Sequence, residues 1–234
     1  MQLQTHGLVL HTTPYGETSV IARVLTRELG VQSYMVKGVR NARSRTKLHY
    51  FDPMTQLDMV VYHTAHGKMG YLREATPAGA PQPDFDPRLG ALRFFMAEVL
   101  YRSLREDEPL PTLYDYTAAL LGNLRPDPNI PIRYMLGVAS HLGLEPMDNH
   151  SPAEPFFSLD EGRFVSSAEG LGGTDVIDLE LSALLHRYLD SNCTVQAPLT
   201  DRNRLLEKLI DYYRIHLSTF TNFKSHQVLH SVLS

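Results

Sequence analysis

The chain has almost no sulfur chemistry and no tryptophan: one cysteine, Cys193, in 234 residues. A lone thiol cannot close an intramolecular disulfide, and it excludes any zinc site built on two or more cysteines. Long apolar runs are missing as well. The longest, Met59-Val60-Val61-Tyr62 and Phe94-Phe95-Met96-Ala97, fall far short of the roughly twenty residues that a bilayer span needs. Met1-Gln2-Leu3-Gln4-Thr5-His6 offers neither the charged stretch nor the apolar block of a secretory signal, so the expectation is a cytoplasmic protein. No Walker loop, Gly-X-Gly-X-X-Gly or Gly-X-Ser-X-Gly element occurs. The expectation is therefore no enzyme and no cofactor.

What is present is enough for a packed core: 43% hydrophobic and 21% charged residues. The charge is uneven. Residues 1–80 carry nine lysines and arginines against five acids, and the remainder thirteen against twenty-one. A formal charge of −4 thus hides a basic front and an acidic back, which points to two parts with different partners.

The front reads as β-structure. Gly7 to Thr12 is a short apolar run ended by Pro14-Tyr15-Gly16, and Ser19 to Thr26 alternates. Glu28-Leu29-Gly30 turns the chain, and Val31 to Val39 resumes extended structure. Met54 to Tyr62 and Gly70 to Thr76 complete five strands. Short strands at near-regular spacing with no long helix between them fit a small closed barrel. From Ala75 to Pro87, five of thirteen residues are proline or glycine, which places a domain boundary near residue 80.

Residues 81–234 switch to helical period. Apolar stripes run through Leu89 to Ser103, Leu113 to Leu124, Ile132 to Leu142, Leu181 to Leu189 and Leu205 to Phe220. Asn129 reads as the N-cap of the third helix, and Thr200 or Asp201 as that of the last long one. Phe156 to Val165, with Asp160-Glu161-Gly162 in its middle, reads as an inserted β-hairpin at 156–165. The fold class expected is α+β: a five-stranded barrel followed by a mainly helical domain.

The feature richest in chemistry is the segment 37–47, with five basic residues in eleven and no acid: Lys37, Arg40, Arg43, Arg45 and Lys47. Unpaired cations on a loop suit a phosphate backbone, because each neutralised phosphate releases counterions. A solvated surface loop would have the same composition. Single-strand binders of barrel type add aromatic platforms, and Tyr15, Tyr34 and Tyr50 are the aromatics at hand.

Gly7-Leu8-Val9-Leu10-His11-Thr12, Pro14-Tyr15-Gly16-Glu17-Thr18-Ser19, Leu25-Thr26-Arg27-Glu28-Leu29-Gly30 and Val36-Lys37-Gly38-Val39-Arg40 together resemble the amino-terminal signature of the bacterial RecO recombination and repair family. Asp52-Pro53-Met54-Thr55, Arg133-Tyr134-Met135-Leu136, His141-Leu142-Gly143 and Phe223-Lys224-Ser225 extend the likeness in order along the chain. The resemblance implies an OB-fold at 1–80 and a helical domain after it. It also implies binding of single- and double-stranded DNA, ATP-independent strand annealing, and partnership with RecR. Docking on the acidic C-terminal tail of single-strand-binding protein and help in loading RecA belong to the same picture. Lys37 and Arg40 match the family's Lys-Gly-X-Arg element for DNA contact. Arg43, Arg45 and Lys47 follow in the same loop, and Arg23 is a further candidate.

Many relatives carry a four-cysteine zinc site in the helical domain, which this chain cannot build. No zinc is expected, and Phe156, Phe157, Leu159 and Phe164 are expected to pack in its place. Arg133 matches a position near the family's site for the single-strand-binding protein's tail, where an arginine beside an apolar groove would hold a terminal carboxylate. An ordinary surface ion pair is the rival explanation. Lys224 is a second candidate DNA contact, although a lysine near the negative pole of a helix is equally expected. His226 and His230, four apart, lack a third ligand nearby in sequence, and Glu106-Asp107-Glu108 reads as a solvated acidic cluster. A barrel adaptor whose basic loop meets only acidic peptide is the alternative to DNA binding.

Overall fold

β-Branched and apolar residues at every second position give the front of the chain one buried face per strand, and closing the sheet removes its edges. In the computed structural model the strands are β1 Gln2–Tyr15, β2 Ser19–Thr26, β3 Gly30–Val36, β4 Gln56–Tyr62 and β5 Gly70–Pro77. The structure describes residues 1–41, 44, 46–63, 69–78, 86–167, 176–190 and 194–232. The strands form a closed barrel in the order β1-β2-β3-β5-β4. β3 and β5 run parallel and the other pairs antiparallel, the OB-fold arrangement. β1 is long enough to pair with β4 through residues 2–8 and with β2 through 7–15. A register shift between Val9 and His11 lets it bend from one to the other.

Val9, Val20, Val24, Tyr34, Leu57, Met59 and Val61 fill the barrel. Several boundaries differ from the sequence reading, β1 running from Gln2 to Tyr15 rather than from Gly7 to Thr12. β3 stops at Val36 because Gly38, at φ +67°, turns the chain. β4 starts at Gln56, after a 3-10 helix at Leu48–Phe51 that buries Phe51 in the core.

Helix α1 covers Pro87–Ser103, capped by the Asp86 carboxylate, which accepts from the Arg88 amide at 2.8 Å. Helix α2 covers Pro111–Gly122. The segment between them refines one expectation: Glu106 and Glu108 are exposed, as a solvated cluster would be, but Asp107 is half-buried and the backbone docks on β3. Glu106 forms a bridge with Val31, the Asp107 amide donates to the Val31 carbonyl at 3.2 Å, and Gln32 donates to Asp107 at 2.7 Å. Gly30, at φ +69°, makes this possible, since a Cβ there would lie 2.2 Å from the Glu108 carbonyl oxygen. Compactness accordingly divides the chain at residue 126: Met1–Pro126 is one unit, barrel plus α1 and α2, and Asp127–Ser234 the other.

The second unit holds α3 Ile130–His141, a hairpin of β6 Phe156–Ser158 and β7 Arg163–Val165, α4 Leu179–Leu189, α5 Leu199–His216 and α6 Ser225–Val232. Asn129 makes no side-chain cap; its Oδ1 accepts from the Tyr188 hydroxyl at 2.6 Å instead. α5 begins at Leu199, so Thr200 and Asp201 lie in its first turn. Asp201 there faces the positive end of the helix dipole. Phe157, Leu159 and Phe164 are buried, with the two rings edge to face at 5.1 Å, while Phe156 is half-buried. Among the described residues, no helix is long and apolar enough to cross a membrane.

Candidate nucleic-acid interface

At one end of the barrel, the β1–β2 turn, the chain leaving β3, the start of β5 and the end of β4 come together. Lys37 follows the last residue of β3, on the outward face, and its Nζ lies 4.8 Å from the centre of the Tyr71 ring. Arg40 is exposed, with its amide bonded to the Thr18 carbonyl at 2.9 Å and Nη1 donating to the Gly16 carbonyl at 3.3 Å. The side chain is thereby steadied across the β1–β2 turn without being neutralised. Lys47 is exposed at the start of the 3-10 helix. Arg43 and Arg45 lie outside the described residues.

Four other arginines of this unit provide a contrast, whereas Arg105 and Arg125, outside the barrel, are also exposed with no carboxylate partner among the described residues. Arg23 has Glu106 at 3.9 Å, Arg27 has Asp115 at 2.8 Å, Arg73 has Glu74 at 3.3 Å and Arg102 has Glu98 at 3.7 Å. Lys37, Arg40 and Lys47 have no carboxylate partner among the described residues. Arg23 is only a quarter exposed, with its guanidinium 4.8 Å from the Tyr101 ring centre, so it faces α1 and the 106–108 segment rather than open solvent.

Of the three aromatics named from the sequence, Tyr34 is excluded as a platform. It is 1% exposed, its hydroxyl has no partner, and burial pushes its pKa well above the usual tyrosine value. Tyr50 is half-buried against His49, and Tyr15 is exposed at the turn. Sequence reasoning missed Tyr62 and Tyr71, both exposed at this end of the barrel. Their alternation with buried Val61 and Gly70 was the available signal.

In the second unit Arg133 is exposed in the first turn of α3, with Asp127 at 4.0 Å. The nearby apolar crevice, about 20 Å³ and so room for roughly one water, is lined by Pro131, Ile132, Leu199, Leu206, Leu229 and Arg202. Arg202, not singled out from sequence, is thus the cation on the crevice, and its buried Nε has no partner. Lys224 is exposed immediately before α6. That is the positive pole of a helix, so the dipole explanation for this lysine has the wrong sign. His226 is buried, stacked on Phe223 at 5.6 Å, with Glu207 at 3.4 Å, a carboxylate that spacing alone did not reveal. Cys193 lies outside the described residues.

A closed OB barrel bearing exposed cations at one end, joined to a helical unit with its own apolar crevice, is the class of protein that fold and site define. Residues 1–80 match the family model described as Recombination protein O N terminal, and residues 85–225 match Recombination protein O C terminal. The chain is 30% identical to the DNA repair protein RecO of Christiangramia forsetii over 99% of both chains. It is likewise 30% identical to that of Phocaeicola vulgatus over the whole of both chains, and 28% identical to that of Flavobacterium psychrophilum, also over the whole of both. The chain belongs to the RecO family.

Proposed function

We propose that this protein is a cytoplasmic, non-enzymatic mediator of DNA repair and recombination that binds single- and double-stranded DNA and anneals complementary strands without ATP. The observation that carries the reading is that Lys37, Arg40 and Lys47 are exposed and, among the described residues, without carboxylate partners, where Arg23 and Arg27 of the same barrel are paired. Arg43 and Arg45 join them by sequence. Annealing needs no covalent step. Cations that neutralise phosphates lower the repulsion between two strands, and base pairing supplies the driving force.

The family resemblance supports RecR, the tail of single-strand-binding protein and, indirectly, RecA as partners. For the tail, the crevice beside Ile132 and Leu206 is the apolar feature, with Arg202 on it and Arg133 nearby as candidate carboxylate contacts. The crevice must widen to admit an aromatic ring. Lys224 is a further candidate DNA contact.

The test is strand annealing without nucleotide, run on bare strands and on strands coated with single-strand-binding protein. Acceleration in both supports the mediator reading, while acceleration on bare strands alone removes the tail contact from it. Failure to anneal, together with no oligonucleotide binding at low salt, would replace DNA binding by the adaptor reading.

A further inference from the structure

The barrel's outer wall carries one row of large side chains across four neighbouring strands. Ile21 on β2 is registered with Met35 on β3, Met35 with Tyr71 on β5, and Tyr71 with Tyr62 on β4. Registered partners share a face, and neighbouring strands are about 4.8 Å apart, so the row extends over roughly 14 Å. Its inward neighbours Val20, Ala22, Tyr34, Val36, Val61 and Gly70 are buried, whereas Tyr71 is 41% and Tyr62 44% exposed. Ile21 and Met35 are half-buried.

The charge on the two sides of this row differs. On one side stands Lys37, two residues beyond Met35 on the same face, with its ammonium at 4.8 Å from the Tyr71 ring centre. Arg40 is bound over the adjacent β1–β2 turn. On the other side the next registered pair, Arg23 and Ser33, is covered by Glu106, at 3.9 Å and 3.5 Å. A ligand on the row therefore meets cations along one edge and a carboxylate along the other. An apolar track with cations on one edge suits a chain of flat rings strung on an anionic backbone. In a duplex those rings are stacked inside and cannot reach the track.

We infer that the row Ile21–Met35–Tyr71–Tyr62 is a stacking track for unpaired nucleobases, with Tyr71 and Tyr62 as its platforms and the phosphates running along the Lys37 edge. It rests on the nucleic-acid reading above and adds to it a preference for single strands. Cations alone bind any polyanion; the tyrosines respond only to bases.

The test uses the full chain and three ligands of equal length: oligothymidylate, a duplex, and a phosphodiester polymer without bases. Tyr71→Ala and Tyr62→Ala are each expected to weaken oligothymidylate binding about 5- to 150-fold, the range measured for single stacking contacts. Binding of the duplex and of the baseless polymer, and the salt slope for all three, stay unchanged. Tyr71→Phe retains oligothymidylate affinity within about twofold. A loss of equal size on all three ligands, or no loss on oligothymidylate, overturns the inference and leaves the nucleic-acid reading standing. A wild-type protein that binds none of the three ends that reading itself. Independently of any variant, photocrosslinking of halogenated oligouridylate to the wild-type chain should label the peptide containing Tyr71 or Tyr62. Labelling confined to the opposite wall, around Gln4 and His6, overturns the track. So does crosslinking that a protein competitor alone abolishes, since the row is then a protein-docking surface.

Discussion

Arg27 and Arg40 are both exposed arginines of the same barrel, and their surroundings are opposite. The Arg27 guanidinium forms a two-pronged contact with Asp115, Nε to Oδ1 at 2.8 Å and Nη2 to Oδ2 at 2.9 Å, and Glu28 lies at 4.0 Å. The hydrogen bond raises the Arg27 pKa and holds the Asp115 carboxyl below its usual value. Among the described residues, the Arg40 side chain meets only the Gly16 carbonyl. The difference is made by what the helical segments bring to each end: α2 supplies Asp115 and the 106–108 segment supplies Glu106, while the Lys37–Arg40 end receives neither. A cation's availability is thus a property of the fold, and the strongest way to disturb the comparison is to undo that docking.

Gly30→Ala does so. Its Cβ would meet the Glu108 backbone at 2.2 Å, and its φ of +69° strains any side chain. Destabilisation of about 3 kcal/mol is expected in urea unfolding, because left-handed strain and displacement of 106–108 act together. Gly16→Ala, at φ +59° with nothing within 4 Å of the added methyl, keeps only the conformational part, about 1 kcal/mol. Equal costs for the two would show that the 106–108 segment is not anchored at Gly30.

Next in size is the double reversal Lys37→Glu with Arg40→Glu. Five phosphate contacts from Lys37, Arg40, Arg43, Arg45 and Lys47 give a log–log salt slope of up to about −3.5 on single strands, and removing two flattens it by about 1.4. Affinity at low salt is expected to fall roughly tenfold or more. An unaltered slope would take these two residues out of the interface.

The sequence made the barrel legible because alternation and turn residues are local: Ser19–Thr26 and the hairpin around Asp160-Glu161-Gly162 stand where their patterns put them. The cationic segment was legible for the same reason, since its five basic residues fall within eleven positions. What lay hidden was pairing over distance. Asp115 is 88 residues from Arg27, and Glu106 is 73 from Ser33. Neither separation leaves a local mark, so the docking of Asp107 on β3 went unread and Arg23 stood as a further candidate contact. Tyr34 and Tyr71 are both tyrosines near the basic segment, and their opposite places in the alternation of β3 and β5 leave one buried and the other exposed.

A smaller effect tests Arg23. Arg23→Ala removes a guanidinium stacked on Tyr101 and an ion pair at 3.9 Å, and should cost about 1 kcal/mol of stability. Oligonucleotide affinity should stay within about twofold. A loss as large as that of the Lys37 and Arg40 reversals would place Arg23 among the phosphate contacts instead.

The smallest effect is the most local, and it reads the position of Arg23 directly. The His11 ring lies 5.1 Å from that of Tyr101. Burial lowers its pKa below the ordinary 6.5, Arg102 and Arg23 lower it further, and Glu98 opposes them. The unfolded chain, titrating near 6.5, therefore binds this proton more readily than the folded one. Stability from this group is fully present above about pH 6.5 and is lost as pH falls from there through the lower folded-state value. In an NMR titration His11 should titrate below 6.5. Arg23→Ala should move it upward, because one of the charges that oppose protonation is gone. Arg40→Ala should leave it where it is. A His11 titration indifferent to Arg23 would mean that this guanidinium does not sit against Tyr101, and the contrast between the paired and the free cations of the barrel would lose its clearest member.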